Sequence, residues 1–291
     1  MAAHGATVVS TSGGSERAGY ELARRSPRRA LAPFVRGELT GFAERSEAPV
    51  RRLELPAALV ALVVDLSPPM TVTDARGRAA SHRGGFVAGL DDAPSVTEHG
   101  GESRVVQVNL TPLGARLALS LPMGSIARRV VSLEEALGRD ARGLAERLAD
   151  LPDWASWFDA IEALLLARIE RARAVPRWIA AAWERIAAEG AGDSRVARLF
   201  DDTGYSRKHV AAAFREHLGL TPKRLQRLVR FERALGLLRS GRHRDLASLA
   251  FAAGYSDQPH LTREFGAFAG ASPARLAAAL RAGGMGLVLP G

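Results

Sequence analysis

The chain has 291 residues, close to half of them hydrophobic and a quarter charged, enough for one large or two ordinary soluble domains. It contains no cysteine, which excludes disulfides, thiol redox sensing, cysteine-ligated zinc and a cysteine nucleophile. The formal net charge is +9, and residues 192–291 carry 16 basic and 8 acidic side chains against 24 and 23 in the rest. Positive charge is thus concentrated in the last third, as in a segment that meets phosphates.

Residues 1–29 show no sustained periodicity and carry the pairs Arg24-Arg25 and Arg28-Arg29, so a disordered arm is expected there. The start, Met1 to Ser15, lacks a charged segment followed by an apolar core, so no signal peptide is expected. The longest apolar run, Leu55 to Leu66, is interrupted by Pro56 and Asp65 and falls short of the ~20 residues of a membrane helix. A cytoplasmic protein without a membrane partner is expected.

From Val50 to Leu110, short β-favouring runs alternate with turn signals. Strands are expected at 52–55, 59–66, 70–73, 85–90 and 104–110, forming a small antiparallel sandwich or barrel. Beyond Asn109 the pattern turns helical. Ser132-Leu-Glu-Glu135 reads as a capping box, and Asp140 as the cap of a helix through Leu148. Trp157, Ile161, Leu164, Leu165 and Ile169 mark one face of a long helix from Trp154 to Arg173. Ile179, Trp183 and Ile186 mark another from Pro176, ended by Glu189-Gly-Ala-Gly192, where the domain boundary is expected. The fold class is therefore α+β: a β-rich sandwich or barrel with helices over 30–190, then an all-α domain over 191–282 and a tail at 283–291.

The basic segment contains an internal repeat of about fifty residues. Val196, Leu199, Gly204-Tyr205-Ser206, His209, Phe214, Gly219, Thr221-Pro222 and Leu225 recur as Leu246, Leu249, Gly254-Tyr255-Ser256, His260, Phe265, Gly270, Ser272-Pro273 and Leu276. In each copy a short helix (196–203; 246–253) ends at a glycine, which takes the left-handed turn conformation cheaply. Ser206 and Asp257 sit where the next helix needs an N-cap oxygen. That helix buries Val210 and Phe214, or Leu261 and Phe265. Helix, glycine turn, helix is the pattern whose second helix enters the major groove. Pro222 to Arg239 reads as one linking helix. A plain helical hairpin within a bundle is the competing structural interpretation; two copies are too few for a solenoid.

Residues 194–280 resemble the DNA-binding domain of the AraC/XylS family of bacterial regulators. The likeness is strongest in Leu249-Ala-Phe-Ala-Ala-Gly-Tyr-Ser-Asp-Gln-Pro-His-Leu-Thr-Arg-Glu-Phe265 with Gly270-Ala-Ser-Pro273. The resemblance implies a seven-helix domain gripping two successive major grooves of a promoter, usually as an activator acting on RNA polymerase. Val106 to Leu117, Pro122 and Val131-Ser-Leu-Glu-Glu135 resemble the N-terminal domains of such regulators, which bind a small effector, dimerise, or both. The expected partners are accordingly double-stranded DNA, a small-molecule effector, RNA polymerase and a second copy of the chain. A ligand-independent repressor or architectural DNA-binding protein is the alternative.

The candidate DNA-binding residues of the second unit are Asp257, Gln258, His260, Thr262 and Arg263. Glutamine pairs with adenine, arginine with guanine, and a threonine methyl meets a thymine methyl; for His260 packing or capping is an equal alternative. In the first unit they are Ser206, Arg207, Lys208, Ala211, Ala212 and Arg215. Ala211 and Ala212 stand where relatives often carry long polar side chains, so weak hydrogen-bond readout is expected there. Lys223, Arg224, Arg227 and Arg230 on the linking helix are candidate phosphate contacts, with Glu232 as an alternative partner.

No catalytic residue, cofactor or metal is expected, and the effector-binding residues cannot be assigned from sequence. His82 and His99, the only histidines of the β region, are expected at the surface or in turns. There is no phosphate-binding loop, nucleophile elbow or HExxH pattern. Trp154, Trp157, Trp178 and Trp183 are expected to pack in the core or at a dimer interface.

Overall fold

The computed structural model describes residues 7–14, 18–189, 204–241, 243–282 and 287–289. The N-terminal half is built on two antiparallel sheets. The larger runs, in spatial order, β1 (Val9–Gly14), β2 (Gly19–Arg25), β3 (Leu39–Arg45), β10 (Glu102–Leu110), β5 (Val60–Asp65), β8 (Gly85–Ala88) and β11 (Val130–Ser132). The smaller runs β12 (Leu287–Val288), β4 (Val50–Glu54), β9 (Ser95–His99), β6 (Met70–Thr73) and β7 (Ala79–His82).

The two-residue period of β10 decides what each face of the larger sheet does. Val106, Val108 and Leu110 join the main core, whereas Val105, Gln107 and Asn109 turn to a cavity shared with the smaller sheet. Helices cover the main-core face. These are α1 (Pro112–Leu119), α2 (Met123–Ile126), α3 (Leu133–Leu137), α4 (Leu144–Ala149) and α5 (Trp154–Glu170). Thr111 caps α1 by accepting from the Gly114 amide at 3.0 Å, and Ser132 caps α3 by accepting from that of Glu135 at 3.1 Å. On β3, a Cβ at Gly41 would stand 2.2 Å from the Trp154 ring, so only glycine lets α5 approach.

Three sequence expectations are corrected here. Residues 9–14 and 19–25, expected in a loose arm, are strands. Arg25 is 5% exposed and donates to Glu162 on α5 at 2.5 Å and to Asp159 at 2.8 Å. A buried cation paired across the fold ties the segment down far more firmly than its local sequence suggests. Asp140 caps no helix: it lies in a 3-10 turn (Gly138–Ala141) and pairs with Arg168, while Gly143 precedes α4. His82 and His99 are buried rather than superficial, and His99 Nε2 lies 2.9 Å from the Glu44 carboxylate. Among the described residues no group of side chains could hold a metal ion.

The C-terminal half comprises α6 (Arg177–Glu189), α7 (Arg207–Leu218), α8 (Pro222–Ser240), α9 (Leu246–Ala253), α10 (Gln258–Ala269) and α11 (Pro273–Ala282). The helix expected over 196–203 lies outside the described residues. α6 packs against α7 and α8. Trp157 and Trp183 are buried, and Trp178 lies over Tyr205 and Phe214.

The two halves share one hydrophobic core. α1 and α2 pack on α7, and a Cβ at Gly124 would stand 3.1 Å from the Arg215 carbonyl oxygen. Arg36 reaches Glu232 on α8 at 2.6 Å, so the partner foreseen for the cations of α8 is taken by the N-terminal domain. Among the described residues no helix is long and apolar enough to cross a membrane.

Candidate nucleic-acid interface

The second helix-turn-helix unit follows from its local sequence. Asp245 and Ser248 cap each other's backbone amides at the start of α9. Gly254 ends that helix with φ +87°, a conformation in which a side chain is strained. Asp257 opens α10 by accepting from the His260 amide at 2.7 Å. That bond holds the Asp257 carboxyl below its usual range, so it stays charged at the helix N-terminus.

On α10, Leu261, Phe265 and Phe268 are buried, and Phe231 of α8 meets the Phe265 and Phe268 rings at 4.9 and 5.1 Å. The opposite face shows Gln258, Thr262 and Arg263, all exposed. His260 is half-buried, edge-on to Tyr255 at 5.2 Å and 3.1 Å from the Ser256 hydroxyl. These neighbours hold it in place.

The second helix of the first unit repeats the design. Ser206 caps α7 by accepting from the His209 amide at 3.2 Å, and Val210, Phe214 and Leu218 are buried. Arg207, Lys208, Ala212 and Arg215 are exposed, with Ala211 half-buried beside them. Spaced by three or four residues, they share one helical face. His209 stacks on Tyr205 at 4.6 Å.

Between the units runs α8, 19 residues and about 28 Å at 1.5 Å per residue. Its start and α10 enclose a basic cleft of Lys223, Arg227, Arg230, His260, Arg263 and Glu264. Glu264, 6% exposed, organises it. Its carboxylate accepts from Arg227 at 2.6 Å and lies 3.5 Å from Arg230. Arg227 also lies over the Phe268 ring at 4.9 Å, and Arg230 over the Tyr255 ring at 5.0 Å. Burial pushes the Tyr255 hydroxyl up, so it remains a neutral donor.

The four cations expected to meet phosphates therefore stand differently. Lys223 is exposed, with no ion-pair partner among the described residues. Arg224 lies 3.6 Å from Asp92 of the N-terminal domain, and Arg227 is held by Glu264. Arg230, 5% exposed, is part of the core and is corrected as a surface contact. Glu264 and Asp92 were missed in the sequence because their partners are remote. The one local hint was an acid one helical turn beyond His260.

A short capped helix, a glycine turn and a second capped helix with a free polar face, with that second helix repeated as α7 ahead of the linking helix, form a helix-turn-helix arrangement. Residues 199–279 match a family described as a helix-turn-helix domain. No curated protein matches the sequence. Among solved structures, ToxT from Vibrio cholerae is similar at 10% identity, covering 82% of this chain and 97% of that one with a TM-score of 0.46. ToxT bound to an unsaturated fatty acid is similar at 8% identity, covering 82% and 94% with a TM-score of 0.45. The AraC-like transcriptional activator CuxR is similar at 11% identity, covering 88% and 79% with a TM-score of 0.33.

Proposed function

We propose that the protein reads two successive major grooves of a promoter with α7 and α10, and activates transcription there through contact with RNA polymerase. The observation that carries this reading is the duplicated unit itself: two N-capped helices, each with one buried and one exposed face, joined by a helix of about 28 Å. That length suits a spacing of one DNA turn, ~34 Å. Gln258 pairs with an adenine edge, Arg263 with guanine, and Thr262 meets a thymine methyl. Ala211 and Ala212 give the first unit an apolar surface toward thymine methyls. Arg207, Lys208, Arg215 and Lys223 anchor phosphates, and the helix N-termini capped by Ser206 and Asp257 add a partial positive charge. Arg224 and Arg227 reach phosphate by exchanging Asp92 and Glu264 for it.

The N-terminal domain supplies the regulatory input. Between its sheets lies a cavity of about 420 Å3, within the range of small-molecule sites. Its floor is Val63, Met70, Val72, Phe86 and Val105, a second apolar cluster apart from the main core. A cytoplasmic effector occupies it, and homodimerisation would set two such readers on one promoter.

A selection of genomic fragments by the full-length protein at physiological salt tests this reading. Enrichment of a short motif with two contact blocks about one helical turn apart supports it. Uniform recovery of all fragments contradicts sequence-specific reading and points to an architectural role.

A further inference from the structure

The N-terminal cavity has a charge pattern that selects among effectors. Its lining carries one guanidinium, Arg52, and two carboxylates, Glu54 and Asp91. Arg52 is already engaged: it donates to both oxygens of Glu44 at 2.7 and 2.6 Å, and its guanidinium lies over the Phe42 ring at 5.3 Å. Both bonds come from Nη2, and a contact this close leaves little positive field for an incoming anion. Glu54 accepts one hydrogen bond, from the Thr97 hydroxyl at 2.9 Å, and has no ion-pair partner among the described residues. Asp91 has only a distant cation, Arg128, at 3.9 Å.

Both carboxylates sit at one end of the cavity. Glu54 is paired in register with Ser95, and Asp91 lies in the loop that leads into that same strand. Pro56, Ala57, Gly89 and Ala93 line the same end. The Glu54 side chain is open to solvent at this mouth, yet protein crowds its other sides and pushes its carboxyl above the usual range. Burial pushes Asp91 up as well. Ser103, 2% exposed, also lines the cavity with no side-chain hydrogen-bond partner among the described residues. It offers a polar atom that a ligand would satisfy. A cation at the mouth offsets the cost of ionising two crowded carboxyls, whereas an anion adds to it.

We propose that the cavity takes an amine-bearing, otherwise apolar small molecule, its ammonium held by Glu54 and Asp91 and its body resting on the floor of Val63, Met70, Val72, Phe86 and Val105. This rests on the reading of the cavity as the effector site, and it names the ligand class. Carboxylates of the same shape are rejected because the only guanidinium in the lining is neutralised by Glu44.

The test uses the full-length chain and three probes of one shape: octylamine, 1-octanol and octanoate, with binding measured by calorimetry. The amine is expected to bind at least about tenfold more tightly than either of the others. Glu54→Gln should remove that preference while leaving the melting temperature and octanol affinity nearly unchanged. Ala88→Phe, which fills the cavity, should abolish binding of all three with DNA binding retained. Equal affinities, or tightest binding of octanoate, overturn the proposed ligand class; if Ala88→Phe still abolishes that binding, the cavity survives as the effector site. Binding that is indifferent to Ala88→Phe, or no binding by any probe, overturns both.

Discussion

The guanidinium of Arg224, in the first turn of the linking helix α8, lies 3.6 Å from the carboxylate of Asp92 in the N-terminal domain. Asp92 also receives Arg128, and its neighbour Asp91 lines the cavity. A cation proposed to meet DNA is thus partly neutralised by a residue next door to the cavity proposed as the effector site. Asp92→Asn is expected to raise DNA affinity about two- to fivefold for all sequences alike, since a half-exposed pair is worth about 0.2–1 kcal/mol. Fluorescence anisotropy at fixed salt checks this; unchanged or weaker binding would show that Arg224 takes no part.

The division of labour on the DNA face predicts two different mutant behaviours. Gln258→Ala should change the base preferred at one position of a selected site, costing about 1–3 kcal/mol against the favoured base. Lys223→Ala should weaken all sites alike and flatten the slope of log affinity against log salt by about 0.9. Binding-site selection and salt titration separate the two. Equal, sequence-independent losses from both would refute the assignment.

Glu264 balances Arg227 and Arg230 under α10. Removing it leaves Arg230, 5% exposed, as an uncompensated cation. Glu264→Ala should therefore destabilise the C-terminal domain by about 3 kcal/mol, within the range for breaking a buried pair. Glu264→Gln should cost less, because it still accepts a hydrogen bond. Denaturant unfolding monitored on the full chain distinguishes them.

Much of the C-terminal domain was legible because its constraints are local. A glycine must end α9, a short acceptor must open α10, and apolar residues must recur at helical spacing; all are visible within a dozen residues. The N-terminal domain was legible only where strands carry an apolar face. β1, Val-Ser-Thr-Ser-Gly-Gly, is exposed throughout and offers no such pattern. β2 holds Arg25, whose place in the fold depends on Glu162, 137 residues away. The cavity was hidden for the same reason: its walls come from strands of both sheets that are far apart in the chain.

The β domain should show acid sensitivity traceable to Glu44. Burial pulls its carboxyl up, but hydrogen bonds from His99 and Arg52 outweigh this and hold it below the ordinary value of 4.5. A carboxyl depressed in the folded state contributes stability that is complete above that value and lost as pH falls below it. Glu44→Gln should therefore lower the melting temperature at neutral pH and flatten its decline as the pH falls below the ordinary carboxylate value. An unchanged acid limb would contradict the role given to this pair.

The most direct test of two-groove reading is a hydroxyl-radical footprint of the full-length protein on a selected site. The account predicts two protected patches on one face of the duplex, about 10 base pairs apart, one DNA turn. Gln258→Ala should weaken protection of the patch under α10 more than that of the other. A single patch, or protection spread evenly along the duplex, would contradict it.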